Sequence, residues 1–488
     1  MSLTLYNTLT RRKSLFTPLE PGKVSIYCCG VTVYDYCHLG HARSYIAWDT
    51  LRRYLEWRGF KVTYVQNFTD IDDKILNRAR AEHSSMDAVS EKYIAAYFED
   101  MDRLNIRRAD DYPRATHAID GIKRLIHELE QKGVAYASAG DVYYSVRSKA
   151  DYGKLSGRKL EDLEAGASGR VDEENTKKRD PFDFALWKAA KPDEPAWESP
   201  WGNGRPGWHI ECSAMVRDRL GDSIDIHVGG SDLTFPHHEN EIAQSEAVTG
   251  KPLATYWLHN GMVNVGGVKM SKSLGNFTTI RDLLDQGHIE PMALRFFVLG
   301  AQYRKPIDFT EAAMTAATNG WHTLQDALRF GQTLDPASSP ALDPPLDPTA
   351  DPSHLDPIAT QLFNTAMDDD CNTAAALAVL FELAKAINRE ANLMRHQQVT
   401  TTPVQTIVLQ WQTLTILAQV LGLEATEMQT EVTSYLSDAA IDAQVTARTE
   451  AKKAKDFATA DRIRQELKTL GITLVDQPGG VTIWHQES

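Results

Sequence analysis

Two β-rich runs separated by one amphipathic helical pattern constrain the fold of this chain more than any other feature. Residues 24–29 form a short apolar run after Pro21-Gly22. Residues 42–58 carry Ile46, Leu51, Tyr54 and Leu55 on one helical face, Gly59 supplies a stop, and a second β-rich run covers 61–67. Strand, crossover helix and strand in this order open a parallel α/β sheet. Further strands are expected at 224–228 and 255–258, and the charged, turn-rich stretch 115–200 reads as an insertion between the two halves of that sheet.

Beyond the sheet the composition changes. Pro and Asp recur among small residues at 335–357, which leaves too little apolar surface to fold alone and predicts a linker. From 358 to 423, Ala, Leu and Ile recur at three and four, the pattern of a helical bundle. Two charged helices are expected at 437–448 and 456–470. A hairpin of 472–475 and 481–484 follows around Pro478-Gly479-Gly480.

A length of 488 residues calls for roughly two to four such domains. No apolar stretch approaches the roughly 20 residues that span a bilayer, and no apolar core follows Arg11, Arg12 and Lys13, so neither a membrane anchor nor a secretory signal is expected. Five cysteines, odd in number and irregularly spaced, do not make a disulfide framework and suit a reducing cytoplasm. A net charge of −14 argues against a generally basic nucleic-acid coat but leaves room for a local basic stripe.

Some motif matches fail. Gly202-Asn203-Gly204-Arg205-Pro206-Gly207 fits GxGxxG, yet it follows a Pro- and Trp-rich stretch and contains Pro206, so it is not read as a dinucleotide loop. No P-loop pattern occurs. His238-Glu239 begins an HExxH match, but Ile242 stands where the second His belongs.

Two other motifs carry chemistry. His38-Leu39-Gly40-His41 lies between the first strand and the first helix, where amides favour phosphate. His38 and His41 can each donate to phosphate oxygens, and Gly40 clears space for an adenine ring. The same histidines also suit a helix cap or a solvated turn. Lys269-Met270-Ser271-Lys272-Ser273 lies between Gly266-Gly267 and Gly275, which suggests a loop able to move over a substrate. Lys269 and Lys272 can neutralise a triphosphate, although a solvated Lys/Ser loop reads the same way.

HLGH near the first strand, with KMSKS more than two hundred residues later, resembles the paired signatures of class I aminoacyl-tRNA synthetases. The runs Cys29-Gly30-Val31-Thr32-Val33-Tyr34-Asp35, Gly207-Trp208-His209-Ile210-Glu211-Cys212-Ser213 and Phe235-Pro236-His237-His238-Glu239-Asn240-Glu241 look like the cysteinyl branch of that family. The likeness extends over nearly the whole chain, including residues 455–461. Leu39 departs from the usual Ile of the first signature, and the 335–357 linker is longer and more biased than the family's.

The resemblance implies a Rossmann-like catalytic domain over 1–114 and 201–260, a connective insertion at 115–200, and a KMSKS and stem-contact region at 261–334. After the linker it implies a DALR-like bundle at 358–430 and a small mixed α/β anticodon-binding module at 431–488. It implies ATP with Mg2+, L-cysteine and tRNA(Cys) as substrates, with His38, His41, Lys269 and Lys272 catalytic and Gly40 at the nucleotide. A monomer is expected.

His237 and Glu241 stand four apart on one face of a helix that Pro236 can start, which permits both to hold one metal. Scattered cysteines equally suit a core, and His237 a cap. By resemblance the ligands of one Zn2+ per chain are Cys29, Cys212, His237 and Glu241. Zinc prefers a thiolate to a hydroxyl, so such a site would separate cysteine from serine without an editing domain. By resemblance, too, Trp208 walls the amino-acid pocket and Thr69 contacts the substrate. A core tryptophan and an N-cap for the helix after Asp70 are the other readings. Arg448, Lys452, Lys453, Lys455, Arg462, Arg464 and Lys468 form a basic stripe, and Trp484 is placed to stack an RNA base. Charge alone would make the stripe a solvated helix pair. Two other functions fit parts of the chain: a related ligase that joins cysteine to a small amine, and a zinc-dependent RNA-binding protein without catalysis.

Overall fold

A computed structural model describes residues 3–160, 177–192, 194–270, 278–334, 355–425, 438–454, 456–469, 472–476 and 482–486. Lys272 and most of the expected linker lie outside the described residues. The chain divides into two compact units, Met1–Ala425 and Thr426–Ser488.

In the first unit, β1 (Thr4–Asn7) and β2 (Arg12–Leu15) form an antiparallel hairpin. The strand β3 (Lys23–Cys28) leads through the helix Leu39–Trp57 into β4 (Lys61–Gln66), which pairs parallel to it. The insertion contributes its own antiparallel sheet of β5 (Ala135–Ser138), β6 (Asp141–Tyr144), β7 (Phe184–Ala189) and β8 (Gly204–Pro206). Because Trp187 pairs with Pro206 and Ala189 with Gly204, this sheet runs past the expected boundary at 200. The strands β9 (Ile224–Gly230) and β10 (Ala254–Asn260) then complete a parallel sheet of order β10-β9-β3-β4, as the opening pattern predicts.

Alternation along β3 sends neighbouring side chains to opposite faces. Cys28 packs with Ile26, Val228 and Leu258 in one core, while Cys29, just past the strand end, packs with Tyr27 and Trp257 in another. The strand therefore delivers a single thiol to the face covered by the helix Trp208–Leu220.

After the sheet, β11 (Val263–Val265) pairs antiparallel with β12 (Val268–Lys269) and parallel with β13 (Ile307–Phe309). Helices Glu311–Leu334, Pro357–Asp368, Thr373–Gln397 and Val404–Val420 pack as a bundle. Trp411 locks two of them together by donating from Nε1 to the Leu328 carbonyl at 2.8 Å. A Cβ at Gly331 would stand 2.0 Å from the Trp411 ring, so only glycine admits this contact.

A buried ion network ties the first helix to the rest of the unit. Asp49 accepts from Arg53 Nε at 2.8 Å and from Arg295, whose own Nε donates to the Leu421 carbonyl at 2.8 Å. Burial alone would raise the Asp49 carboxyl, but Arg53 and Arg295 hold it at about 2. Its stabilising contribution is therefore complete above the ordinary carboxylate range and is lost as pH falls through 2. Asp49→Asn leaves two buried guanidinium groups without their anion, and should cost about 3–5 kcal/mol. A thermal unfolding midpoint unchanged from wild type would contradict this.

In the second unit, helices Asp438–Lys453 and Phe457–Thr469 cover the antiparallel pair β14 (Ile472–Asp476) and β15 (Thr482–Gln486). Ile441, Ile463, Leu467, Ile472 and Leu474 make its core. Trp484 leans on that core and donates from Nε1 to Asp442 Oδ1 at 2.8 Å. It is thus partly engaged in packing, whereas the Phe457 ring is 62% exposed.

Candidate active site

The helix Leu39–Trp57 begins at His38, and both signature histidines cap it. His38 Nδ1 accepts from Gly40 N at 3.0 Å, and His41 Nδ1 accepts from His38 N at 3.2 Å. The two rings stack with centroids 3.7 Å apart and planes at 19°. Capping and a role at the nucleotide are compatible, because both residues line a cleft of about 450 Å³ while they cap the helix. A Cβ on Gly40 would lie 2.8 Å from the His38 ring, so the glycine first makes room for that imidazole.

The segment that carries Lys269 is anchored beside this cap. Met270 N donates to the Val263 carbonyl at 3.1 Å, Leu39 N to the Thr278 carbonyl at 3.3 Å, and Ile280 N to that of Cys37 at 2.9 Å. Lys269 and Met270 line the same cleft as His38 and His41.

Four buried side chains converge around Cys29, which lines the same cleft. Cys29, Cys212, His237 and Glu241 each present a donor atom, all within 4.8 Å of one another. Cys29 comes from the end of β3, Cys212 from the second turn of the helix Trp208–Leu220, His237 from the turn Thr234–His238, and Glu241 from the helix Glu239–Thr249. That helix starts at Glu239, three residues later than Pro236 suggests, yet His237 and Glu241 still share a face, with Nε2 and Oε1 3.1 Å apart.

The donor spacings fit a tetrahedral ion. Zinc bonds of about 2.3 Å to sulfur and about 2.0 Å to nitrogen or oxygen require edges of about 3.8 Å between sulfurs, about 3.5 Å from sulfur to oxygen and about 3.3 Å from nitrogen to oxygen. The corresponding distances are 3.9 Å from Cys29 to Cys212, 3.6 Å from Cys29 to Glu241, and 3.1 Å from His237 to Glu241. Charge follows the same arrangement. A hydrogen bond from Cys29 draws the Cys212 thiol down to about 6 against the effect of burial. Burial would lower the His237 imidazolium, but Glu241 and Cys212 hold it up at about 10. The Glu241 carboxyl, although buried, is kept well below its ordinary range by His227 and His237.

Sequence reasoning missed the ring of histidines around this quartet. His227 Nε2 bonds Glu241 Oε2 at 2.9 Å, which leaves Oε1 directed at Cys29 and His237. His209 and His237 meet through their Nδ1 atoms at 3.0 Å, which leaves His237 Nε2 for the cluster. His238 Nε2 lies 3.3 Å from Cys29, and its Nδ1 is 2.8 Å from His259. A second quartet of Cys29, His227, His238 and Glu241 is therefore also metal-sized. The set with two thiols is the softer one and the better match to zinc. A histidine in the buried strand β9, beside Asp225, was the sequence signal for His227.

Trp208 is 41% exposed, lines the cleft and stacks on His237 with centroids 4.3 Å apart, so it is not a core tryptophan. Thr69 does not cap the following helix, because Asp72 does, accepting from Lys74 N at 2.8 Å. The Thr69 hydroxyl is buried and donates to Glu211 Oε2 at 3.2 Å, in the residue next to Cys212.

Comparison with known proteins agrees with this architecture. Residues 15–319 match the family of class I (C) tRNA synthetase catalytic domains, residues 362–426 the DALR domain, and residues 437–483 the cysteinyl-tRNA ligase anticodon binding domain. A cysteine–tRNA ligase of Gloeothece citriformis is 65% identical with both chains fully covered, and one of Synechococcus elongatus is 66% identical over 99% of each. Among solved structures, Mycobacterium tuberculosis methionyl-tRNA synthetase with methionyl-adenylate superposes with a TM-score of 0.54 at 15% identity. It covers 82% of this chain and 89% of its own, a likeness of fold alone. With its catalytic, DALR and anticodon-binding regions all matched and two-thirds identity over its full length, the chain belongs to the cysteine–tRNA ligase family of class I synthetases.

Proposed function

We propose that this chain activates L-cysteine with Mg-ATP and transfers it to the 3′ end of tRNA(Cys). One observation carries the reading: a single cleft is lined by Cys29 and Trp208 at one end and by His38, His41 and Lys269 at the other. An amino acid whose sulfur faces the cysteine end would direct its carboxylate toward the histidines. That carboxylate attacks the α-phosphate of ATP, forming cysteinyl-adenylate and releasing pyrophosphate. The terminal ribose hydroxyl of tRNA then attacks the acyl carbon and releases AMP. His38, His41, Lys269 and Lys272 stabilise the charge that builds on the phosphates, and catalysis is positioning plus electrostatics.

Cys29, Cys212, His237 and Glu241 would hold one zinc ion, which when bound supplies a preference for a thiolate over a hydroxyl. Trp208 closes the pocket against water beside His237. Thr69, whose hydroxyl is held by Glu211, would contact the substrate cysteine. In the second unit Phe457 offers a face on which an unpaired base can stack. Five unpaired thiols suit the cytoplasm, and among the described residues no helix is long and apolar enough to cross a membrane.

Pyrophosphate exchange with cysteine and with serine, followed by charging of tRNA(Cys), tests this reading. Exchange with cysteine should exceed that with serine by more than the roughly 10–200-fold that pocket shape alone provides. No exchange with cysteine rejects the reading, and exchange without charging favours a ligase that uses a small amine as acceptor.

A further inference from the structure

Outside the cleft, three cations gather on the face that the insertion shares with the first hairpin. Arg11, Arg158 and Lys159 line a surface pocket of about 460 Å³ together with the turn 151–157. That turn is firmly held by the helix bearing Glu241. Tyr152 donates to Asn240 Oδ1 at 2.5 Å, Ser156 N to Glu239 Oε2 at 2.9 Å, and Lys154 Nζ lies 2.5 Å from Glu246.

The pocket is shaped for a guanidinium. Gly157 has φ +73°, and a Cβ there would stand 1.7 Å from Arg11 Nη2, so the arginine rests against a bare backbone. Arg158 lies over the Phe235 ring, 4.6 Å from its centroid. Phe235 follows Asp232 and Leu233, which line the catalytic cleft, so one turn of chain separates the pocket from the cleft.

Among the described residues, charge there is unbalanced. Asp151, the acid of the pocket, is matched by Lys149 at 2.7 Å and Lys154 at 2.9 Å. Among the described residues no carboxylate pairs with Arg11, Arg158 or Lys159, in a chain whose net charge is −14. An acidic protein repels a polyanion at long range, so its phosphate contacts must be local.

We propose that this pocket binds a backbone phosphate of the RNA substrate, near the end delivered to the cleft. The inference rests on the tRNA-charging reading above. Two guanidinium forks can hold phosphate oxygens in pairs, with Lys159 as an added point charge. Such contacts set register and carry no base specificity.

The test compares two full-length variants that each lose three positive charges. One is Arg11→Ala/Arg158→Ala/Lys159→Ala. The control is Lys61→Ala/Lys132→Ala/Lys251→Ala, at exposed positions elsewhere. Cysteine-dependent pyrophosphate exchange, which needs no RNA, should stay within about twofold of wild type in both. Only the pocket variant should raise KM for tRNA by about tenfold or more, and its log affinity should fall with log salt on a slope shallower by roughly 2. Wild-type KM and slope in the pocket variant overturn the proposal, as does an equal loss in both variants or a collapse of exchange in the pocket variant. Wild-type protein that exchanges cysteine but charges no tRNA overturns the parent reading instead.

Discussion

Cys212→Ala protein should be purified without its metal and should lose at least about 10³-fold of its cysteine-dependent pyrophosphate exchange, on the order of 4 kcal/mol of transition-state stabilisation. Removing a group that only orients a ligand typically costs 10–100-fold, and Cys212 is proposed as a ligand itself. Its thiol is drawn to about 6 by Cys29, so it enters the cluster as the readiest thiolate. The alanine also leaves the buried Glu241 and His237 with one thiol fewer against which to balance charge. Cys212→Ser keeps nearly the same volume and separates loss of a donor from loss of packing: the hydroxyl is a poor zinc ligand, so exchange should fall to a similar extent while thermal stability stays closer to wild type. Retention of about one metal per chain together with near-wild-type exchange would remove the quartet from the reaction.

Lys269→Ala should slow adenylate formation by roughly 10²–10³-fold, about 3–4 kcal/mol, while equilibrium binding of cysteine changes little. The lysine lines the same cleft as His38 and His41, and its neighbour Met270 lies against Gly40 between them, so its charge is expected to act on phosphates and not on the thiol. Single-turnover formation of adenylate, set beside a direct cysteine titration without ATP, separates the two effects. Equal losses in both would mean that Lys269 shapes the cleft as a whole. Lys272→Ala is expected to behave in the same direction.

Several parts of this architecture are legible in the sequence. Strong periodicity fixed the parallel sheet, because an apolar run, a helix and another apolar run leave little topological choice. The registers agree closely, with the runs expected at 24–29 and 61–67 forming Lys23–Cys28 and Lys61–Gln66. Boundaries were less legible where pairing is non-local. The insertion reaches Pro206 only because β8 adds to a sheet begun seventy residues earlier, and nothing within Gly204-Arg205-Pro206 announces a partner. Thr69 was misread as a possible cap because Asp72, three residues on, competes successfully for the same role.

Sequence by itself determined the chemistry on offer: two histidines at a strand–helix junction, a lysine pair far downstream, and the residue types of a zinc set. Local spacing carried that information, since HLGH and the His237–Glu241 interval are properties of single turns. Only the tertiary structure decided which of these groups meet. Cys29 and Cys212 are 183 residues apart, and their sulfurs come to 3.9 Å because β3 and the helix Trp208–Leu220 pack across one face of the sheet. The same packing recruits His227, His209, His238 and His259, whose mutual contacts no local spacing announces, and turns Glu241 so that one oxygen is held by His227 and the other faces Cys29. Long-range contact is the physical reason: a side chain's partners are set by chain segments that the local sequence does not encode.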